Sequence, residues 1–453
     1  MKKVAKFGGS SLANSEQIKK ACKIVLADKD IKTVCVSAPG KRYDEDIKIT
    51  DLLIDLYEKY RNKDERYKNA INKILKRFED IADELGIDKK IIYDFEEIIY
   101  SHLKEIKDDF YLENALKSCG EDFNARLISL YIQSLGYNCQ YLSPKEAGIL
   151  LEESVNGPII LEETYKNLEK FKDSEILYIV PGFYAYSPQG KIITFQRGGS
   201  DITGSILAKG LSCDIYENYT DKNYIFTAHP DLIDDPEPIS NITYREMREL
   251  SYNGFEIFQE DAVAPLLDKD IKIYIKNTNN PNSGGTIIET KRDDVKENPI
   301  LGISNVGDFV AFNITEYLMN RQIGYIKKVL DIFEYQHIPV EHIPTGIDSL
   351  SIIVRKKYIR SEFQKQNIIN SIRSNFNFDD FKLIDDLASI AIVGEGLKDI
   401  MAESLYKISR VLNEENIKLE SIIHGASNNS IFIFVKKDYE ELAIKKLYEI
   451  FFK

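Results

Sequence analysis

The first 40 residues constrain the fold most, because they predict a strand, a glycine turn, a helix and a second strand in that order. The first strand ends in the turn "KFGGSS" at residues 6–11, and Ile18, Ala21 and Val25 share one face of the helix that follows. The β-branched run at residues 33–40, "TVCVSAPG", then predicts a buried strand. A strand–helix–strand start of this kind indicates a three-layer α/β fold.

Length and charge narrow the classes to which the chain can belong. Its 453 residues are enough for two to four domains. The sequence contains no apolar run of about 18 residues, the length that would predict a transmembrane helix. The apolar stretch near the N-terminus is broken at Gly8, which argues against a signal peptide. The net charge of −13 disfavours general binding to nucleic acid or to an anionic membrane, so an anionic substrate would need a few local cations.

The five cysteines are scattered along the chain and form no CxxC pair. This pattern argues for reduced thiols and against a zinc site or a disulfide framework. We therefore expect a cytoplasmic protein in which each cysteine is a small buried residue.

Three regions follow one another along the chain. Residues 52–116 are charged and helical, and we expect a helical hairpin packed on the core, at most a lid or an oligomer contact. A charged linker at 289–299 precedes two similar units, at 309–354 and 387–435, each of which predicts a strand, an amphipathic helix and another strand. They indicate an internal repeat of about 70 residues. The predicted domains are residues 1–295, 300–375 and 384–453.

Two glycine turns carry side chains that could bind an anion. The turn at 6–11 places Lys6 before a helix whose N-terminus and backbone N–H groups favour negative charge. The segment at 197–201, "RGGSD", repeats this arrangement before another helix. Two simpler explanations stay open at this point: Lys6 could point to solvent, and Ser200 or Asp201 could only cap the second helix.

Two further segments carry candidate polar residues. Glu121 in "SCGEDFNARL" lies near a predicted helix start, where a carboxylate could also serve only to complement the helix dipole. Ser37 ends a predicted strand, and Thr50 and Asp51 follow the charged loop after it.

Taken together, these motifs resemble the aspartate kinases over essentially the whole chain. The matching segments are Lys6–Ser11, Ser118-x-Gly120-Glu121, Gly182-Phe183, Arg197–Asp201, the "IKNTNNPNSGGTII" run at 275–288, Ile392–Gly394 and the closing "YEIFF". The helical insert and "SAPGKR" are most similar to the monofunctional clostridial-type branch. The resemblance implies a three-layer amino-acid-kinase-like catalytic domain followed by two ferredoxin-like (βαββαβ) ACT domains.

The resemblance also implies a reaction. The family transfers the γ-phosphoryl group of ATP, with Mg²⁺, to the side-chain carboxylate of L-aspartate, as the first step of lysine, threonine and methionine biosynthesis. A carboxylate with a pKa near 3.9 is already ionised at neutral pH, so no general base is needed. The reaction must instead bring two anions together, the aspartate carboxylate and the ATP phosphate. Catalysis therefore requires that the substrates be positioned and that cations offset their charge.

Site residues carry over from the family by position. Lys6 and Asp201 would be catalytic, with Lys6 stabilising the transferred phosphoryl group and Asp201 orienting Lys6. The substrate residues would be Ser37, Thr50, Glu121, Phe183, Arg197 and Ser200. Within that set Glu121 would take the substrate ammonium, and Arg197 a substrate carboxylate through its planar fork. The nucleotide residues would be Lys6, Gly8, Gly9, Ser10, Thr220, Asp221 and Phe226, and no side chain is assigned as a metal ligand.

Two departures from the family pattern concern the nucleotide side. Asp231 stands where the family has arginine, and Glu256 where it has lysine. Two such charge inversions would weaken binding of a polyanion, although a swapped side chain that points to solvent has no such effect. Two alternatives therefore stay open: a diverged kinase for another amino acid or nucleotide, and a non-catalytic amino-acid sensor.

The ACT-like tail implies feedback control by an amino acid, with lysine the commonest effector in the family. The matching effector positions are Met319, Gln322, Gly324, Tyr325, Ile326, Glu341 and Gly346. Glu341 would take the effector ammonium, or could be only a solvated charge at a strand end. Since ACT units pair across subunits, we expect a homodimer or a dimer of dimers.

Overall fold

The computed structural model describes residues 1–154, 157–196, 198–255, 258, 260–425 and 428–453. The chain divides into two compact units. The first comprises Met1–Ile225, Pro238–Arg248 and Glu256–Arg292, and the second Phe226–Glu237, Glu249–Phe255 and Asp293–Lys453. Among the described residues, no helix combines the length and the apolar character needed to span a membrane.

The first unit is built on a mostly parallel sheet. Its strands are β1 (Lys3–Phe7), β2 (Ile31–Val36), β3 (Cys139–Tyr141), β4 (Leu151–Glu152), β5 (Ile159–Ile160), β6 (Leu177–Pro181), β7 (Tyr184–Tyr186), β8 (Ile192–Thr194), β9 (Ile215–Thr220), β10 (Ile225–Phe226, whose second residue belongs to the second unit), β11 (Pro238–Ile239), β12 (Asn241–Thr243), β13 (Lys272–Asn277) and β14 (Thr286–Glu289). Eight of them form the main sheet in the order β12-β14-β13-β9-β1-β2-β6-β3. Within this sheet, β1 pairs in parallel with both β2 and β9. The pair β13–β14 is antiparallel, and the other neighbouring strands pair in parallel.

Helices cover both faces of this sheet. The helices of the first unit are α1 (Ser15–Ala27), α2 (Ile49–Arg61), α3 (Tyr67–Leu85), α4 (Lys90–Glu105), α5 (Asp109–Ser134), α6 (Pro144–Ala147), α7 (Glu163–Leu168) and α8 (Gly199–Gly210), and α9 (Tyr244–Tyr252) is divided between the two units. One core joins alternate residues of β1 and β2, such as Ala5 and Val34, to α1, α2, α3 and α5, whereas α8 packs against β1, β2 and β9. The predicted three-layer α/β fold is therefore confirmed.

The predicted helical hairpin is wrong, because the region forms three helices, α2, α3 and α4, that pack against the long helix α5. Phe78, Phe95 and Phe123 form one aromatic cluster, with ring centroids 4.1–5.7 Å apart. Gly86 ends α3 with φ of 72°, a left-handed conformation that glycine adopts without a steric penalty. The insert thus belongs to the core of the first unit.

The second unit contains both repeats in one antiparallel sheet. Its strands are β15 (Gly302–Thr315), β16 (Ser349–Arg355), β17 (Asp380–Val393), β18 (Ser421–His424) and β19 (Ser430–Lys436), and its helices are α10 (Tyr325–Tyr335), α11 (Glu362–Asn375), α12 (Leu397–Glu414) and α13 (Glu440–Phe452). The strand order is β16-β15-β17-β19-β18. The two repeats therefore share a sheet through the long pair β15–β17.

Candidate active site

The predicted catalytic residues lie around one cleft in the first unit. Its volume is about 940 Å³, and it opens where β1, β2 and β9 end. Ligands of open α/β sheets bind at the carboxyl ends of the strands. The predicted site residues that line it are Lys6, Gly8, Gly9, Ser10, Ser37, Thr50, Glu121, Phe183, Ser200, Asp201 and Asp221.

Lys6 and Asp201 form an ion pair at the base of this cleft. Lys6 Nζ lies 2.5 Å from Asp201 Oδ1, and both side chains are largely buried. Asn218 Nδ2 donates a hydrogen bond of 2.7 Å to the same oxygen, and Asn218 is the register partner of Lys6 in the β1–β9 ladder. Asp201 from α8 and Asn218 from β9 thus fix the orientation of Lys6. The alternative in which Lys6 points to solvent is wrong.

The glycines before α8 serve two different purposes. Gly198 is the N-cap of α8 with φ of 72° and no side-chain cap, so Ser200 and Asp201 lie inside the helix. A Cβ atom on Gly199 would lie 2.8 Å from a ring carbon of Phe183. The absence of a side chain at Gly199 therefore lets the start of α8 approach Phe183 in the wall of the cleft. Capping alone, the simpler explanation for Ser200 and Asp201, does not describe this helix start.

Glu121 lies in the interior of α5 and faces the cleft. It is 5 % exposed, and its Oε2 atom has no hydrogen-bond partner among the described residues. Burial raises the pKa of Glu121 to about 8, although a hydrogen bond with the Ala38 backbone opposes the shift. The helix-start alternative for Glu121 is wrong, because α5 begins at Asp109. A buried carboxyl with a free oxygen is suited to binding a cationic group.

Two buried asparagines belong to the site and were not predicted from the sequence. Asn218 holds Asp201 as described above, and Asn124 Nδ2 donates a hydrogen bond of 2.7 Å to the Ser37 carbonyl. The sequence could have indicated both residues, because each is a polar residue at a position expected to be buried. Asn218 lies in a central strand, and Asn124 lies three residues after Glu121 in a helix. Buried polar side chains in such places need a specific partner.

The remaining catalytic-domain predictions have different outcomes. Thr220 ends β9 and donates a hydrogen bond of 3.0 Å from Oγ1 to Asp221 Oδ1. Phe226 and Asp231 belong to the second unit, and the Asp231 side chain is 88 % exposed. Arg197 and Glu256, like Ile257 and Gln259, lie outside the described residues.

Most of the predicted effector residues surround the start of α10. Met319 and Tyr325 are buried, and Gln322 donates a hydrogen bond to Glu316, a buried carboxylate that was not among the predicted effector residues. Gly324 is the N-cap of α10 in a left-handed conformation, with φ of 77°. Ile326, in the first turn of α10, is partly exposed.

The structure separates Glu341 from this group. The Glu341 N–H donates a hydrogen bond to the carbonyl of Ile353, near the C-terminal end of β16. Gly346 lies in the turn before β16. The Glu341 side chain is 3 % exposed, forms an ion pair of 3.1 Å with Arg355 and accepts a hydrogen bond from Tyr252. The alternative of a solvated strand-end charge is therefore wrong.

Comparison with known proteins identifies the family. Residues 1–277 match the model of the amino acid kinase family. The chain is 39% identical to aspartokinase 3 of Bacillus subtilis over 452 residues, which cover 99% of this chain and 98% of that protein.

Two solved structures are similar to this chain. The crystal structure of Clostridium acetobutylicum aspartate kinase superimposes with a TM-score of 0.86 at 33% identity, and 99% of this chain and 100% of that one are covered. Escherichia coli aspartokinase III, in a complex with aspartate and ADP, shares the fold with a TM-score of 0.79 at 20% identity, with 100% of both chains covered. The chain belongs to the amino acid kinase family and, within it, to the aspartokinases.

Proposed function

We propose that this aspartokinase transfers the γ-phosphoryl group of ATP to L-aspartate in the cleft around Lys6. The observation that carries the proposal is the placement of the Lys6–Asp201 ion pair and the buried Glu121 in one cleft. A cation and a buried carboxyl in the same cleft match the charges of the two reacting molecules. No comparison supports the alternatives of another amino acid substrate or of a non-catalytic sensor.

The roles of the residues follow from the charges that must be balanced. Glu121 would bind the ammonium of aspartate, which leaves the substrate's side-chain carboxylate free to attack. The Lys6 ammonium would offset the negative charge that builds up on the transferred phosphoryl group, and Asp201 and Asn218 hold it in place. The backbone N–H groups at the start of α8 add favourable partial charge.

A magnesium ion fits the cleft as part of the nucleotide complex. Among the described residues, no group of three or more His, Cys, Asp or Glu side chains could hold a metal ion. Mg²⁺ needs no such group, because it is commonly bound by one or two carboxylates together with substrate phosphates. Asp201 and Asp221 line the cleft and would supply those carboxylates. When bound, the ion would neutralise phosphate charge.

The exposure of Asp231 weakens one argument for altered nucleotide use. With its carboxylate 88 % exposed and 3.7 Å from His229 Nδ1, this side chain is hydrated, and its field is screened by water. We therefore propose that ATP is the phosphoryl donor.

A substrate and nucleotide panel tests the proposed reaction. The purified chain with L-aspartate, ATP and Mg²⁺ should form an acyl phosphate that hydroxylamine traps as the hydroxamate. Glutamate, one methylene longer, should react at least about tenfold less efficiently, and chelation of Mg²⁺ should stop turnover. A folded chain that forms no hydroxamate from aspartate with ATP or GTP would refute the proposal.

We further propose a homodimer whose ACT-type repeats bind a regulatory amino acid, lysine being the first to test. Support comes from apolar side chains in the first repeat that are exposed in the single chain: Ile323 at 98%, Tyr317 at 71% and Ile347 at 70%. Contiguous exposed apolar surface marks interaction sites, and the hydrogen bond from the Leu318 N–H to Asp348 Oδ1 brings the segments of Tyr317 and Ile347 together. The five buried free cysteines support the cytoplasmic location that we also propose.

The Ile323→Asp, Ile347→Asp double variant tests the dimer. Charges at these positions should shift sedimentation from dimer to monomer and abolish any effect of lysine in the hydroxamate assay. Tyr406→Asp is the matched control, since Tyr406 is also exposed, at 63%, but lies on α12. A monomeric wild-type chain, or a double variant that stays dimeric, would contradict the assignment of this surface.

A further inference from the structure

One buried side chain of the helical insert reaches the glycine turn of the active site. Arg77 lies on α3 and is 5 % exposed. Its Nη2 atom donates hydrogen bonds to the carbonyls of Gly40, at 2.7 Å, and Ala13, at 3.0 Å. Its Nη1 atom donates to Asp46 Oδ2 at 2.7 Å. One guanidinium therefore joins three points that are 31, 37 and 64 residues away in sequence.

These three points belong to the two loops that meet at the cleft. Ala13 lies in the loop at 8–14 between β1 and α1, and Gly40 and Asp46 lie in the loop at 37–48 between β2 and α2. The loops touch directly, because the Gly40 N–H donates to the Gly9 carbonyl at 2.8 Å. A Cβ atom on Gly40 would lie 2.6 Å from the Gly9 carbonyl carbon. The two loops are therefore in backbone contact at Gly40, the residue whose carbonyl Arg77 holds.

Arg42 extends the same network to the cleft wall. Its Nε and Nη2 atoms donate to the two oxygens of Asp46, at 2.8 and 2.9 Å, and its side chain lines the cleft. Hydrogen bonds from Arg42, reinforced by the charge of Arg77, hold the pKa of Asp46 well below its usual range. Asp46 thus stays ionised between two guanidinium groups.

We propose that Arg77 is a positioning residue that holds the β1–α1 loop (residues 8–14), which carries the glycine turn, against the 37–48 loop. The helical insert would thereby support phosphoryl transfer without touching the substrates. The inference rests on the proposed function, because the turn matters only if phosphate binds there. A buried ion pair contributes little net stability compared with apolar packing. Its distinctive contribution here is geometric, because the rigid guanidinium holds two separate nitrogens in place, Nη1 toward Asp46 and Nη2 toward the two carbonyls.

Arg77→Met tests this role, because methionine keeps much of the side-chain length and removes every donor. We expect kcat to fall about 10- to 100-fold, as a misplacement of about 1 Å in an active site does, with a smaller change in KM for aspartate. Ile74→Ala is the control: Ile74 is fully buried on the same helix and touches neither loop through a hydrogen bond. It should lower thermal stability and leave kcat nearly unchanged. Arg77→Lys, which keeps the charge and a single donor group, provides a second variant should Arg77→Met not fold.

The outcomes separate the two proposals. An active wild-type chain whose folded Arg77 variant keeps full kcat would overturn the positioning role. So would an Ile74→Ala variant that loses as much kcat at an equal loss of thermal stability. A wild-type chain with no kinase activity would instead remove the proposed function.

Discussion

Replacing Lys6 by methionine should lower kcat by about a thousandfold while the chain remains folded. Loss of a single preorganised group that stabilises transition-state charge costs about 10²- to 10³-fold in kcat, and here the lost group carries a full charge in a largely buried position. Asp201 keeps a hydrogen bond from Asn218 in the variant, so its carboxylate is not left without a partner. Hydroxamate formation at saturating substrates measures the effect, and circular dichroism checks the fold.

Lys3→Met is the matched control for Lys6. Lys3 lies in the same strand and also pairs with carboxylates, at 2.6 Å from Asp28 and 3.5 Å from Glu217, but it does not line the cleft. Its loss should leave kcat nearly unchanged. Lys6→Arg retains the charge with a different shape and should recover little activity. A Lys6→Met variant with more than about a tenth of wild-type kcat would contradict the assigned role, given the expected size of the effect.

Replacing Glu121 by glutamine should lower kcat/KM for aspartate by about 30- to 100-fold above pH 8, where Glu121 is ionised, and remove the pH dependence near neutrality. The size of the effect is that of breaking a buried charge pair at a binding site. Glutamine keeps the shape of the side chain and cannot become an anion, so the substrate ammonium loses its counter-charge.

The pH dependence has a defined sign. With a pKa of about 8 in the free enzyme, Glu121 is largely protonated at pH 7 and must lose its proton to pair with an ammonium. The wild-type kcat/KM for aspartate should therefore rise as pH increases and level off above about 8, and the glutamine variant should be flat over this range. Glu113→Gln, two turns earlier on α5, should keep the wild-type profile. A rising profile in the Glu121→Gln variant would show that another group titrates.

Glu121 also affects stability with pH. In the unfolded chain this carboxyl ionises at its ordinary pKa, whereas in the folded unit it stays protonated up to about 8. The unfolded state therefore binds fewer protons between these values, and folding stability falls as pH rises through that window. Ionised Glu121 binds the substrate ammonium, and the burial of the same charge lowers the free energy of unfolding at the pH values at which it is ionised.

Local features of the sequence predicted much of the fold and part of the cleft. The strand, glycine turn and helix around Lys6 and the helix start at 198–201 are short-range patterns, and the structure places both at the same edge of the sheet. Parallel strands bring their carboxyl ends together whatever lies between them in sequence, so such motifs converge on one site.

The contacts that fix these motifs could not be predicted in the same way. Arg77 was one charge among many in a polar helical region, and only its burial against two distant loops distinguishes it. The partners of Glu341 could not be predicted either, because its hydrogen bond comes from Tyr252, 89 residues away in the chain. Pairing across such separations leaves no periodic signal in the residues themselves.

The ladder between β15 and β17 has a consequence for how the tail can respond to a ligand. The two strands exchange backbone hydrogen bonds along most of their length, so twist or sliding at one repeat is imposed on the other within the same sheet. We therefore expect a small molecule that binds one repeat to alter the other repeat through this shared pair of strands.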